Sequence, residues 1–204
     1  MEKRDNYAVQ VQQAKQRFLG YDQARLMEKC GLAWDEAYLY VPFFGRKHRL
    51  NRETGDLEVR SGENWLSANS HAEVMTLLDL ICDSRENRFV TGRWRSMESF
   101  GLMFHQNLLQ DKRDPWAELF DRDPEGFRNA CENLGGTPIP GGDLSFAIPI
   151  FEKLCVGIQF WHGDEEFHPR LRYLWDENAL MYLKYETMYY AVSLLLRRIG
   201  EEMD

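Results

Sequence analysis

The sequence predicts an α+β protein in which an antiparallel sheet, made of hairpins and a meander, packs against several helices, with a long helix at the carboxyl end. Segments with helical spacing of apolar residues and segments rich in strand formers occur in blocks, not in strict alternation, which is typical of this class. An apolar fraction of 44%, with 13% aromatic residues, can fill a core in a chain of 204 residues. Because no stretch has the composition of a flexible linker, we expect residues 1–204 to form one domain.

Two helices are predicted before the first strand. Apolar residues recur at helical spacing over residues 5–18. Asp22 is a suitable N-cap for a second, short helix, and Gly31 can take the left-handed conformation that ends it. The pattern therefore predicts two helices separated by a short turn.

A three-stranded meander follows. Residues 37–44, 46–50 and 57–60 have strand composition and are separated by turn residues. After the meander, Ser70 and Glu73 have the spacing of a capping box. Four apolar residues then recur at helical spacing and predict a helix over residues 71–83 with a buried face: Val74, Leu77, Leu78 and Ile81.

The second half of the chain combines helices and a hairpin. Helices are predicted over residues 97–109, after Asp114-Pro115 and after Asp123-Pro124, because proline suits the first turn of a helix that aspartate caps. Strands are predicted at residues 144–150, 154–161 and 170–175. A final helix is predicted over residues 179–199, with Leu180 on its apolar side and Arg197 and Arg198 in its last turn.

Composition narrows the classes of partner. A net charge of −8 opposes binding to the phosphate backbone, so we expect no nucleic-acid partner. Apolar runs are far shorter than a membrane span and the first residues are polar, so we expect a cytoplasmic protein without a membrane partner. Four cysteines without metal or redox spacing are expected to be unpaired: Cys30, Cys82, Cys131 and Cys155.

The densest group of unusual residues is a glycine loop, Gly135 to Asp143, followed after one hairpin by an acidic turn, Trp161 to Pro169. Together with Thr91-Gly92-Arg93-Trp94 and Asp176, these segments resemble the prokaryotic domain-of-unknown-function 3786 family. That family has a GG…GGD-x-x-F segment, a W-x-G-D-E-E-F segment and a T-G-x-W-like element in the same order. His168 departs from the resemblance, because the family usually has proline there.

The resemblance implies no activity and identifies no cofactor. Some relatives occur in anaerobes, and some carry iron–sulfur modules. The cysteine spacing of this chain does not match such a module, so an iron–sulfur centre is not carried over.

The acidic turn admits three interpretations from its own residues. Asp164 and Glu166 can share one side of a strand and bind Mg²⁺ or Ca²⁺, or act on a water molecule, with Glu165 on the other side. With His162 or His168 they can form a mixed site for zinc or iron. Alternatively, the carboxylates are solvated or accept backbone N–H groups in a tight turn.

A second candidate element is Arg93-Trp94, which could contact an anionic small molecule or pair with acidic groups of the same fold. We expect it to lie in one cleft with the ligand-binding candidates of the glycine loop and acidic turn, namely Gly142, Asp143, Trp161, Asp164, Glu165 and Glu166. The leading hypothesis is a small-molecule or cofactor-binding protein. The alternatives are a metal-assisted hydrolase using Asp164 and Glu166, and an accessory protein that binds another polypeptide; the sequence does not determine the oligomeric state.

Overall fold

The computed structural model describes residues 6–101 and 113–204. The chain divides into two compact units. The amino-terminal unit comprises Met1–Arg88 and Met181–Ala191, and the carboxy-terminal unit comprises Phe89–Leu180 and Val192–Asp204. In the described ranges, six α-helices and two antiparallel five-stranded sheets confirm the α+β class. The expectation of a single domain stays a prediction.

The amino-terminal unit begins with the two predicted helices, α1 (Asn6–Leu19) and α2 (Gln23–Cys30). The Asp22 carboxylate accepts hydrogen bonds from the N–H groups of Ala24 and Arg25, and Gly31 has φ 58°. Both helix-end predictions are therefore confirmed.

The predicted meander is longer than expected. Its five strands are β1 (Ala33–Trp34), β2 (Tyr38–Phe43), β3 (Arg46–Asn51), β4 (Leu57–Ser61) and β5 (Asn64–Ser67), in that spatial order. The three central strands were predicted. The outer two were missed because β1 has only two residues and β5 is mostly exposed and short, so neither carries a period of its own.

The predicted helix over residues 71–83 forms, but in two parts: α3 (His71–Leu78) and a π-turn (Asp79–Asp83). The predicted apolar face is confirmed, because Val74, Leu77, Leu78 and Ile81 are all buried. A π-turn accommodates one extra residue in a helix and carries no strong sequence signal.

The buried face of α3 supplies a stability prediction. Leu78 is 1% exposed. We expect Leu78→Ala to lower the free energy of unfolding by about 3 kcal/mol, because it removes buried methyl groups and leaves a cavity. Urea denaturation measures the loss, and Leu66→Ala, at an exposed position, is the control. A loss for Leu78→Ala no larger than that of the control would contradict the prediction.

The capping-box prediction at the start of α3 is wrong. Ser70 occupies the N-cap position, but its side chain makes no hydrogen bond to a backbone N–H of the helix. Its hydroxyl donates to the Glu73 carboxylate at 3.4 Å instead. Glu73 is buried and lies 3.1 Å from His48 Nε2 of β3. One oxygen of Glu73 therefore contacts the N-cap residue, and the other contacts a partner on another strand.

A second charged cluster connects the π-turn with the segment after residue 181. Asp79 is buried, accepts a hydrogen bond from the Thr187 hydroxyl, and lies 3.0 Å from Lys184 Nζ. Asp83 accepts hydrogen bonds from Lys184 Nζ at 2.6 Å and from the Tyr21 hydroxyl at 2.6 Å. Arg17 contributes a further cation, 3.0 Å from Asp83. Two carboxylates thus face two cations.

This cluster predicts a pH dependence of stability. Burial alone would raise the pKa of Asp83, but the hydrogen bonds from Lys184 and Tyr21 and the charge of Arg17 outweigh it and lower that pKa. A lowered folded-state pKa contributes stability that is present above the unfolded-state value, about 3.9, and is lost as the pH falls through the folded-state pKa.

We therefore expect Asp83→Asn to be less stable than the parent at pH 7, with a difference that shrinks below about pH 4. Thermal unfolding from pH 2 to pH 7 measures it. A difference that is the same at both ends of this range would contradict the role assigned to Asp83.

In the carboxy-terminal unit, two helices begin where aspartate and proline predict them. They are α4 (Pro115–Arg122) and α5 (Pro124–Asn133), and the carboxylates of Asp114 and Asp123 each accept a backbone N–H of the first turn. A helix was predicted over residues 97–109, and the structure has a 3₁₀ turn at Met97–Phe100. Most of the remaining predicted segment falls in residues 102–112, which include His105 and lie outside the described residues.

The second sheet contains β6 (Trp94–Ser96), β7 (Thr137–Pro138), β8 (Leu144–Phe151), β9 (Leu154–Trp161) and β10 (Arg170–Asp176), in the spatial order β6-β10-β9-β8-β7. The predicted hairpin and third strand are confirmed as β8, β9 and β10. Phenylalanines of α4, α5, β8 and β9 pack together in the core, with the rings of Phe120 and Phe127 stacked at 4.5 Å.

The last helix, α6, runs from Tyr185 to Met203. Its predicted start at Ala179 is wrong, because Ala179–Met181 forms a 3₁₀ turn. Leu180 is accordingly 45% exposed, not part of a buried stripe. The helix also continues past Arg197 and Arg198, which therefore do not lie in its last turn.

The cysteine prediction is confirmed, because none of the four cysteines forms a disulfide bond. Burial raises the pKa of the Cys82 thiol to about 12 and also raises that of Cys131. These thiols therefore carry little thiolate at neutral pH. Within the ranges 6–101 and 113–204, none of the helices has the length and apolar character needed to cross a membrane.

Candidate functional site

The acidic turn between β9 and β10 is built around Asp164. One oxygen of its carboxylate accepts hydrogen bonds from the N–H groups of Glu166, at 2.8 Å, and Phe167, at 2.7 Å. Its own N–H donates to the carbonyl of Phe167. Asp164 therefore fixes a tight turn. This agrees with the interpretation in which the carboxylates of the acidic turn accept backbone N–H groups.

The glycine loop meets the same end of β9. Gly142 has φ 64°, and a Cβ atom there would lie 2.6 Å from the carbonyl oxygen of Phe160, so glycine permits this close approach. The next residue, Asp143, donates its N–H to the Phe160 carbonyl and accepts the N–H of His162 at 2.8 Å. Asp143 thereby connects the glycine loop to the start of the acidic turn.

A groove of about 590 Å³ lies over the acidic turn, and we call it the acidic groove. It is lined by Trp161, His162, Asp164, Glu166, Phe167, His168, Pro169 and Arg170. Five of these residues were predicted as ligand-binding or metal-binding candidates: Trp161, His162, Asp164, Glu166 and His168. Gly142, Asp143 and Glu165 adjoin the groove in sequence or by hydrogen bonding but do not line it.

Helix α4 places carboxylates behind both histidines of the groove. His162 Nδ1 lies 2.8 Å from the Asp121 carboxylate, and His168 Nδ1 lies 4.0 Å from that of Glu118. The two carboxylates are three residues apart and so share one face of the helix. Sequence reasoning missed both, because they belong to an amphipathic helix with no motif of its own.

Aromatic rings form the remainder of the groove. The guanidinium of Arg170 lies 4.5 Å from the ring centroid of Trp161, a cation–π distance. Phe167 is 69% exposed at the tip of the turn. The groove thus combines exposed rings with carboxylates.

The expectation that Arg93-Trp94 lies in the same cleft is wrong. Trp94 pairs with Asp176 at one end of β10, whereas Trp161 pairs with Arg170 at the other. Six residues of strand separate these ends by about 20 Å. Arg93 instead pairs with Glu177 through its Nε at 2.7 Å, and the two form part of a separate groove of about 400 Å³.

Residues 22–198 match the family described as "Domain of unknown function (DUF3786)". The chain belongs to this family. The comparison with curated proteins and the comparison with solved structures gave no match.

The part of the chain that matches DUF3786 includes Asp176 and the Thr91-Gly92 element, and hydrogen bonds connect the two. The buried Asp176 carboxylate accepts the N–H groups of Thr91 and Gly92, at 2.9 and 2.7 Å, and that of Asn178 at 2.9 Å. The Thr91 hydroxyl donates to the same carboxylate. These residues hold two chain segments together.

The acidic groove of this DUF3786 chain contains the residues that were predicted to bind a metal. Within residues 6–101 and 113–204, no group of three or more histidine, cysteine, aspartate or glutamate side chains is placed so that it could do so. Asp164 directs one oxygen to backbone N–H groups, and His162 directs Nδ1 to Asp121. The metal-binding role predicted for His162, Asp164, Glu166 and His168 stays a prediction.

Proposed function

We propose that the acidic groove binds a small molecule that carries both a positive charge and an apolar ring. The supporting observation is the pairing of Glu166 with Phe167. The Glu166 carboxylate has no ion-pair or hydrogen-bond partner among the described residues, while its neighbour exposes most of a phenyl ring beside a groove of about 590 Å³. The other carboxylate that lines the groove, Asp164, accepts two backbone N–H groups, so Glu166 is the lining carboxylate most available to a ligand.

The free-energy contributions expected from Phe167 and Glu166 correspond to a weakly bound cationic ligand. Covering the Phe167 ring is worth about 2 kcal/mol, and an exposed ion pair with Glu166 adds about 0–1 kcal/mol. A cation also gains from the face of an aromatic ring. These contributions sum to at most about 4 kcal/mol, so a minimal ligand with one ring and one ammonium group is expected to bind with a dissociation constant of about 1–10 mM.

Benzylammonium is a suitable probe because it has one ring and one positive charge. A titration followed by ¹H–¹⁵N NMR reports the backbone amides of the turn and the indole N–H of Trp161. We expect saturable shifts with benzylammonium and weaker ones with benzoate, which has the ring but the opposite charge. Equal affinity for both probes, or no saturation with either, would exclude a cationic ligand.

The chain offers a matched pair of variants. Glu166→Gln removes a carboxylate that lines the groove, and Glu165→Gln removes its neighbour, which does not. We expect the first to weaken benzylammonium binding about fivefold and the second to leave it nearly unchanged. Equal losses in both variants would indicate general attraction to the turn's charge and not a site at Glu166.

One observation favours a second candidate, the metal-assisted hydrolase. His162 holds Nδ1 against Asp121, an arrangement that supports metal-ligating histidines, and its Nε2 has no hydrogen-bond partner among the described residues. Elemental analysis of protein dialysed against zinc or manganese tests it. One metal ion per chain, lost in His162→Ala, would support the hydrolase; no bound metal, with benzylammonium binding that persists in EDTA, would support the first candidate.

A further inference from the structure

The outer side of the amino-terminal sheet differs in character from the side that faces the core. Leu39, His48 and Leu50 alternate with the outer residues and are buried. Along β2 to β5 the outer positions carry cations and rings, because cross-strand pairs such as Tyr40 with Arg49 and Arg60 with Trp65 share one side of the sheet. We call this surface the arginine face, defined by Tyr38, Tyr40, Lys47, Arg49, Arg60 and Trp65.

The guanidinium groups on this face are held against aromatic rings. That of Arg49 lies 4.0 Å from the ring centroid of Tyr38 and 4.5 Å from that of Trp65, and its Nε donates to Glu58 at 2.5 Å. That of Arg60 lies 5.4 Å from the Trp65 centroid, and its Nε donates to the Gly62 carbonyl. The terminal nitrogens of both arginines have no hydrogen-bond partner among the described residues.

This arrangement is positioned to bind carboxylates. A guanidinium that is stacked and anchored through Nε has already lost much of its rotamer freedom, and its terminal N–H groups can donate to a carboxylate in a planar fork. Two such groups lie over one ring, that of Trp65, so they can contact adjacent carboxylates. The stacked guanidiniums also occupy ring faces on which a nucleic-acid base would stack.

Charge favours an acidic partner. Lys47, Arg49 and Arg60 face outward with two nearby carboxylates, those of Glu58 and Asp35, the second of which accepts a hydrogen bond from the Tyr40 hydroxyl. The chain as a whole has a net charge of −8. The face therefore has the opposite sign to the chain as a whole. Complementary charge steers an acidic partner to such a surface and orients it there.

The edge strand gives such a partner a backbone to pair with. In the described sheet, β5 has a neighbour on one side only, β4. Three of its four residues are exposed, Leu66 among them at 53%. An extended peptide can add to an edge of this kind as a further strand, and its alternate side chains then lie on the same side as Trp65.

We propose that the arginine face and the edge of β5 bind an extended acidic segment of another polypeptide. The segment's backbone pairs with β5, and its alternate carboxylates contact the terminal nitrogens of Arg49 and Arg60. This surface belongs to the amino-terminal unit, and the proposal does not depend on the acidic groove.

The test uses the full chain and a fluorescein-labelled peptide of alternating glutamate and valine, followed by fluorescence anisotropy at low salt. We expect saturable binding that weakens roughly tenfold with Arg60→Glu. Lys153→Glu is the matched control, because it reverses an exposed cation on the turn between β8 and β9, in the other unit. It should leave binding nearly unchanged.

Two modified peptides separate charge from strand pairing. A peptide with glutamine in place of glutamate should bind at least about tenfold more weakly, and one with alternate N-methyl groups should bind more weakly because it cannot pair with β5. Equal binding of the glutamate and glutamine peptides, equal losses with Arg60→Glu and Lys153→Glu, or tighter binding of a labelled oligothymidylate would each overturn the proposal.

Discussion

Replacing His48 with leucine should lower the free energy of unfolding by about 3 kcal/mol, because it removes a hydrogen-bond partner from a buried carboxylate, that of Glu73. His48 is 0% exposed, and Glu73, 3% exposed, lies 3.1 Å from its Nε2. Nδ1 lies 3.3 Å from the carbonyl oxygen of Arg46. Urea denaturation of the parent and His48→Leu measures the loss.

A double variant distinguishes the pair from simple packing. His48→Leu combined with Glu73→Leu replaces both polar groups by apolar ones, which is often neutral or stabilising for a buried pair. We expect the double variant to be more stable than His48→Leu alone. Losses that add would mean that Glu73 is not stabilised through His48.

The second large effect is expected at Asp176. Asp176→Ala should cost about 4 kcal/mol, because it removes the acceptor of several N–H groups, each of which costs about 1–3 kcal/mol when it is buried and unsatisfied. Asp176→Asn keeps one acceptor oxygen and should cost about half as much. Thermal and urea unfolding measure both.

The neighbouring carboxylate is the control for Asp176. Glu177 pairs with exposed Arg93 and Arg95, so Glu177→Gln should cost less than about 1 kcal/mol. A loss for Asp176→Ala as small as that for Glu177→Gln would show that the loop around Thr91 does not depend on the Asp176 carboxylate.

Elements with local signals were predicted correctly from the sequence. Asp22 and Gly31 determine the ends of one helix through bonds to residues within the same turn, and Asp114 and Asp123 do the same for two others. The capping box is absent because the Ser70 hydroxyl contacts the Glu73 carboxylate and not a helix N–H, and Glu73 also has a partner 25 positions away, on another strand. Contacts within one turn can be predicted from the local sequence, whereas contacts between distant segments of the chain cannot.

The same distinction applies to the candidate site. The glycine loop and acidic turn flank one hairpin, so their proximity follows from the chain itself. The position of Arg93-Trp94 depends on which end of β10 pairs with β6, which no local pattern specifies. Asp121 and Glu118 contact the histidines of the groove from a helix that lies at least 40 residues earlier, and they were missed for the same reason.

The turn held by Asp164 has a consequence for recognition kinetics and entropy. Two N–H groups of the turn are bound to a carboxylate of the same turn, so much of the backbone entropy of residues 164–167 is lost when the chain folds, not when a partner arrives. A partner that covers the Phe167 ring then orders little more than that side chain. Such a surface favours association without prior loop rearrangement. Differences in affinity among ligands would then lie mainly in their dissociation rates and less in their association rates.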